Sequence, residues 1–407
     1  MQTFSEHPPR GPDIARHFVR WSWLRAALHS GYWLVTSLYL VLDAGLSPSQ
    51  LVLIGVAQGI VALLFEVPTG VMADTISRKW SLVIFHILVG TSMVVTGLVT
   101  PFPALLGTQM LWGIAWTFAS GADVAWLTDE LNHPERTAVV LAAQARWQQV
   151  GAAGGMLGFG ALAWATTRGT AMVVAGVMMA LLGLYVVGRF TEQHFTPARI
   201  QRWQRAATIL RRGVALARRD PEILVVFVAT FLVNGAADTF GRLYPKQLVG
   251  LGFPDRLDPI VWFTGLGIVT FIVGALALRI VEARIAGAGV ARRAYVAACG
   301  TGVFGVLLLA AAPDAGIGSA GVLLATGISW TVTRAVGVIW VNSRTTSDVR
   351  ATVQSFLAQV EYFGEILCGT ALVLLVQATS ITGALVGASV LVMCAGVVVA
   401  RTRARRD

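Results

Sequence analysis

The sequence predicts an all-α polytopic membrane protein of twelve transmembrane helices arranged as two six-helix halves. Three observations carry that expectation: apolar runs long enough to cross a bilayer, basic residues confined to alternate loops, and a match between the halves at a fixed offset. The 407 residues are 56% hydrophobic and 13% charged, with a mean hydropathy of +0.69. A transmembrane helix needs about 20 mostly apolar residues, and 51–72, 82–100, 171–188 and 381–400 meet that with few or no charges.

Glycine, proline and charge punctuate the apolar runs. They place helices at 21–42, 50–73, 80–100, 103–127, 139–165 and 170–189 in a first half, residues 1–190. A linker follows at 191–220. A second half, 221–407, holds helices at 221–249, 259–283, 293–312, 317–341, 352–377 and 380–400.

With this count, one side of the membrane receives Arg10, Arg16, Arg78, Lys79, Arg136, the arginines of the linker, Arg284, Arg292, Arg293, Arg344, Arg350 and the tail RTRARRD. The other side holds little beyond Arg168 and Arg256. Positive loops face the cytoplasm, so both termini are expected there, and a miscounted helix would scramble the pattern. The same rule accounts for the net charge of +10 without a nucleic-acid partner. The N-terminal segment is polar and basic with no cleavage site, a cytoplasmic lead-in rather than a signal peptide. In the linker, Ile200, Trp203, Ala207, Leu210 and Val214 recur at helical spacing among arginines, which predicts an amphipathic helix on the inner leaflet. Cys299, Cys368 and Cys394 stand singly in apolar runs, with no metal-type spacing.

The halves resemble each other. WLTDELNHPERTAVV begins at Trp126 and WVNSRTTSDVRATVQ at Trp340, an offset of 214 that also carries Arg136 onto Arg350 and Arg78–Lys79 onto Arg292–Arg293. Two different loops in one register indicate a parallel duplication, an architecture that binds substrate between its halves near the midplane.

GVMADTISRK, Gly70 to Lys79, resembles the loop signature of the major facilitator superfamily, at the link between helices 2 and 3 where that family carries it. The resemblance covers the whole chain and implies the major facilitator fold. It also implies that Gly70, Asp74, Arg78, Lys79 and Asp129 form an inner-face charge cluster that latches the halves in an outward-facing state. Solvated loop charges are the competing explanation. Ser77 stands where the family has a second glycine, and the copy RIVEARIAGAGVARR keeps the basic pair but lacks the aspartate.

Ionisable groups inside a membrane are costly and functional by default. Glu66, Asp123, Asp238, Glu361 and Glu365 are therefore proton-coupling candidates, with Arg25, His29, Arg146, Arg242 and Arg334 as possible counter-charges. Glu361 and Glu365 share one helix face at i,i+4 spacing, where two carboxylates repel unless one is protonated or paired. The resemblance implies that helices 1, 4, 7 and 10 line the cavity. The expected wall is Arg25, His29, Tyr32, Trp112, Trp116, Asp123, Asn234, Asp238, Trp330 and Arg334, and static ion pairs are the alternative for each charged member. Aromatic walls with a few acids suit an amphipathic or cationic molecule.

GAAGGMLGFG, Gly151 to Gly160, is similar to the glycine-rich helix-5 signature of bacterial drug/proton antiporters without its proline, and tight helix packing is the alternative. Gln109 stands where that class has an arginine. The resemblance thus implies a monomeric, proton-coupled exporter of drug-like or metabolite molecules in the bacterial cytoplasmic membrane. Coupled or facilitated uptake of a nutrient or lipid-like solute is the alternative. No H-E-x-x-H or nucleophile–base arrangement marks an enzyme, and no cofactor is expected.

Overall fold

The computed structural model describes residues 11–131, 133–197, 220–253, 257–282, 288–345 and 347–402. The lead-in 1–10, residues 198–219 with the amphipathic helix expected in the linker, Arg256, Arg284 and the tail 403–407 lie outside the described residues.

Twelve helical rods run through the described residues. The first half holds α1 (Gly11–Leu38, closing in a π-helical turn Tyr39–Asp43), α2 (Pro48–Thr75), α3 (Arg78–Thr96), α4a (Phe102–Ala119) with α4b (Ala122–Leu131), α5 (Pro134–Ala165) and α6 (Arg168–Arg189). The second half holds α7 (Pro221–Leu251), α8 (Pro259–Glu282), α9 (Ala288–Ala310), α10 (Ala315–Val322, a π-helical stretch Leu323–Trp330, then Thr331–Ser343), α11 (Ser347–Ala378) and α12 (Ile381–Arg401). Among the described residues nine rods are long and apolar enough to cross a membrane by themselves. The others, α1, α4a and α5, carry arginine, histidine or glutamine in their interiors.

Two expected rods are not uniform. The span expected at 103–127 breaks at Ser120–Gly121, where Gly121 adopts φ 73°, a left-handed conformation open to glycine at little cost. The tenth rod widens into π-helix at mid-membrane, a feature often found at functional sites.

Helix starts follow local chemistry. Ser47 accepts the Gln50 N–H while the Gln50 side chain accepts the Ser47 N–H, a reciprocal cap behind Pro48. Ser77, Thr167, Asp220, Asp314 and Ser380 cap α3, α6, α7, α10 and α12 one way, the side chain accepting a backbone N–H of the first turn and so satisfying an orphan donor.

Packing repeats between halves. α1 lies along α5 and α3 along α6, as α7 lies along α11 and α9 along α12. Glycines permit the closest approaches: Gly155 faces the Ala27 carbonyl, and Gly364 faces that of Phe231. Gly151 faces Trp23 and Gly160 faces Thr264 of α8, whereas Gly154 and Gly158 face open space. The glycine-rich stretch of α5 thus serves helix packing at three positions.

The halves join through α2–α11, α5–α8 and α2–α7, and they touch at the end away from the termini. There Val56 meets Gly369, Gly59 meets Ile366, and Met156 meets Gly267, while Lys246 Nζ donates to the Leu46 carbonyl at 2.6 Å. The buried core of the first half continues at this far end into Phe240, Leu248, Phe263 and Leu309 of the second. At the opposite, basic end the second half keeps a separate core around Phe227, Tyr295, Val336 and Trp340. The molecule is closed at the far end and open at the basic end.

Candidate substrate cavity and charge clusters

A cavity of about 660 Å³ lies between the halves. Its two walls differ in chemistry. The first-half wall is aromatic. Trp112 and Trp116, one turn apart on α4a, stack at 5.1 Å with planes 16° apart. His29 lies 5.0 Å from the Trp116 ring, and Trp33 meets Trp112 edge-on at 5.2 Å. The Trp33 indole N–H donates to His29 Nε2 at 2.9 Å, which places the imidazole's own proton on Nδ1.

The second-half wall is charged. Asp238 and Arg242, one turn apart on α7, pair at 3.0 Å. Glu361 pairs with Arg334 at 3.6 Å, the arginine side chain 75% exposed. Glu365 accepts the Asn234 amide at 2.9 Å. The i,i+4 carboxylates of α11 are thus held apart chemically: one has a guanidinium, the other an amide. A side space of about 180 Å³ opens beside Asn234, Trp330 and Arg334.

Arg242 also ties the walls together. Its guanidinium donates to Gln58 Oε1 at 2.7 Å, and Gln58 donates to Gln109 at 3.1 Å. Gln109 in turn reaches Tyr32 and Thr96, both at 3.3 Å. Gly55 makes this possible, because a Cβ there would overlap the Arg242 guanidinium. Gln109 is completely buried, so this neutral amide serves as an internal link rather than as a charged wall residue.

Several expected wall residues sit elsewhere. Tyr32 is fully buried behind the wall, bonded to Gln109. Arg25 and Asp123 do not line the cavity; they pair with each other at 3.1 Å, each side chain 12% exposed. The Arg25 guanidinium also lies 4.3 Å from the Trp21 ring centroid, a cation–π contact. Trp330 belongs to the side space. Among the counter-charge candidates Arg146 is exposed on α5. Glu66 accepts the Ser120 hydroxyl at 2.7 Å through Oε1, and its buried Oε2 has no hydrogen-bond partner among the described residues. Glu66 is not among the residues that line the cavity, whereas Tyr362 of α11 lines it between Glu361 and Glu365.

At the basic end Arg78 pairs with Asp74 at 3.5 Å and with Asp129, and donates to the Ala125 carbonyl at 2.8 Å. All three charged residues belong to the first half. In this open state they join α2, α3 and α4b to one another. Lys79 takes part through its backbone: Glu192 accepts the Ser77 hydroxyl and the Arg78 and Lys79 N–H groups at 2.5, 2.8 and 3.2 Å. Gly70, one turn before Asp74, is half-buried. In the second half Arg292 instead donates to the Thr402 carbonyl, and Glu222 binds Arg344 and the Trp340 indole.

Sequence reasoning missed Trp33, Gln58, Tyr362 and Glu192. Trp33 follows His29 by one turn and could have been found from that spacing. Glu192, in the segment after α6, carries no local signal for a contact with the start of α3. Among the described residues no cluster of His, Cys, Asp or Glu is arranged to hold a metal.

Fold comparison places this architecture among transporters. The nucleoside transporter NupG superposes with a TM-score of 0.77 at 14% identity, covering 96% of this chain and all of its own. The POT family transporter PepTSo gives 0.74 at 11% identity, covering 96% and 98%. A bacterial homologue of the human lysosomal transporter Spinster, inward-facing and occupied, gives 0.73 at 13%, covering 97% of each chain. At these identities the likeness is one of fold. No curated protein is a significant match. The model of the Major Facilitator Superfamily matches residues 22–369, most of the chain and both halves of its cavity, and the protein belongs to that superfamily.

Proposed function

We propose that the protein is a proton-coupled secondary transporter that exports an amphipathic or cationic small molecule by alternating access. The observation that carries this reading is the two-sided cavity, with indole and imidazole rings facing a wall of carboxylates. Aromatic faces attract organic cations, and a carboxylate across the gap complements the same charge. The basic end is taken as the cytoplasmic face, so the open cavity would load from the cytoplasm. Rocking of one half against the other would then carry the substrate outward.

Glu365 and Glu66 are the proton carriers of this proposal. Glu365 borders the cavity with an amide rather than a guanidinium as its hydrogen-bond partner, and Glu66 keeps one oxygen unbonded. Neither must first leave an ion pair, unlike Asp123, Asp238 and Glu361. The Asp74–Arg78–Asp129 cluster is proposed to engage the second half once the basic end closes.

The test uses inverted vesicles with an acidic interior, a pH-quenched dye and a panel of drugs, dyes and metabolites. Some compound should discharge the gradient only when the protein is present. Glu365→Gln should abolish that discharge while leaving substrate exchange, and equal loss of both would make Glu365 a substrate contact instead. Uptake of a polar solute is the second reading, favoured by Gln58, Asn234 and the paired charges of the wall. It takes over if no compound discharges the gradient yet cells accumulate a solute faster with the protein present.

A further inference from the structure

Inside the second half, the side space beside the central cavity holds polar groups that the transport cycle described above leaves unused. It lies among α7, α9, α10 and α11 and takes about 180 Å³. Thr230 on α7, Tyr295 on α9 and Gly337 on α10 line it on the basic-end side of Asn234 and Arg334. The two spaces share Asn234, Ala237, Arg334 and Glu361, so one opens off the other at the Arg334–Glu361 pair. Tyr295 is 1% exposed, yet its hydroxyl makes no hydrogen bond to any described residue. A buried tyrosine hydroxyl ordinarily finds a partner. Thr230 repeats the pattern. Thr264 and Thr333 return their hydroxyls to the carbonyl one turn back, whereas that of Thr230 bonds no described residue. Arg334 makes its 3.6 Å ion pair with Glu361 and no hydrogen bond among the described residues. Three donor groups therefore border one small space with hydrogens unclaimed.

The rest of the lining decides what would claim them. Among the described residues Arg334 and Glu361 are the charged groups of this lining, and they offset each other. A carboxylate or an ammonium entering past them would bring an unmatched charge into a largely desolvated site, at a high cost. Val233, Val338 and Leu357 make much of the remaining surface apolar, and apolar cavity surface does not hold water. A neutral arm with a carbonyl group suits both features. Its oxygen accepts from the hydroxyls, and its carbon atoms cover the aliphatic side chains. A cavity of about 150 Å³ holds a benzene, so the arm has room for about six non-hydrogen atoms.

We propose that the side space is a specificity subsite, taking a short carbonyl-bearing arm of the substrate, such as an amide, with its oxygen on Tyr295 and Thr230. The subsite rests on the reading of the central cavity as the seat of the substrate's cationic, aromatic body, and the test separates the two.

Ligand-observed NMR titrations of the full-length protein in detergent use benzyltrimethylammonium, its 4-acetamido derivative and its 4-isobutyl derivative. The two arms are equal in size, and only the acetamido arm has a carbonyl. The acetamido compound should bind about fivefold tighter than the isobutyl one, the effect of one net hydrogen bond. Tyr295→Phe should erase that difference and leave benzyltrimethylammonium unchanged. It should not lower the melting temperature, since the hydroxyl it removes has no partner to lose. Gly337→Ala, whose Cβ would stand 3.8 Å from the Tyr295 ring, narrows the space and should weaken both substituted compounds but not the parent. Equal binding of the two arms, or a Tyr295→Phe loss shared by the parent, overturns the subsite. A lower melting temperature for Tyr295→Phe also overturns it, by revealing a structural role for the hydroxyl. If benzyltrimethylammonium itself fails to bind, the cationic reading of the central cavity falls, and acetanilide, the neutral arm alone, decides the subsite. Acetanilide binding that Tyr295→Phe weakens keeps the subsite; absent or unchanged binding overturns it.

Discussion

Gly154 and Gly155 are neighbours in sequence with opposite obligations. A Cβ on Gly155 would overlap the Ala27 carbonyl oxygen, while one on Gly154 would meet nothing within 4 Å. Gly155→Ala should therefore force α1 and α5 apart and cost about 1–3 kcal/mol, the usual range for overpacking. Gly154→Ala should be neutral or slightly stabilising, since alanine is the better helix former by up to about 1 kcal/mol. Thermal unfolding of the two variants in detergent separates them, and equal melting temperatures would refute the close-contact account. The stretch GAAGGMLGFG shows in sequence that α5 packs tightly, but which glycines matter depends on the rotation of α1, which no local pattern encodes. The intramembrane charges divide in the same way. Glu66, Asp123, Asp238, Glu361 and Glu365 announce themselves by standing in apolar runs. Their partners could not be read, because Arg25 and Asp123 are 98 residues apart and Gln58 and Arg242 are 184 apart.

Elements were far more legible than contacts. Capping and glycine–proline punctuation are local, so most helix bounds fall close to their expected places, and the breaks do not. Ser120–Gly121 carried a turn signal inside an apolar run, whereas the π-helical stretch of α10 carried none. At this scale Arg78 is the joint of the first half, fixing the end of α2 and the whole of α4b against the start of α3. Arg78→Gln removes the charge from hydrogen bonds worth about 1.5–3 kcal/mol each when one partner is ionised, and it leaves Asp74 and Asp129 facing each other. The variant should lower the melting temperature of the protein. If the cluster also latches the closed basic end, spin labels on α4b and α10 should report a larger population of the basic-end-open state. A lower melting temperature with unchanged distances would leave Arg78 as a brace of the first half and remove the latch.

Alternating access makes a demand on the whole molecule that one covalent bond can test. The far end is held shut by contacts between halves, among them Gly160 against Thr264, where a Cβ on the glycine would stand 3.2 Å from that of the threonine. That separation is near the 3.5–4.5 Å that a disulfide spans. In a background with Cys299, Cys368 and Cys394 replaced by alanine, the pair Gly160→Cys/Thr264→Cys should oxidise readily and pin α5 to α8. The locked protein should still bind substrate from the basic end, since the cavity walls lie on other helices. Transport should fall at least about tenfold, because every full cycle requires the far end to part, and a reductant should restore it. Retained binding with lost transport would identify the far-end contacts as the gate, with the Arg242–Gln58 bond and the Lys246–Leu46 bond breaking in the same step. Undiminished transport by the oxidised protein would mean that α5 and α8 stay together throughout the cycle, and that substrate leaves by some path other than rocking of the two halves.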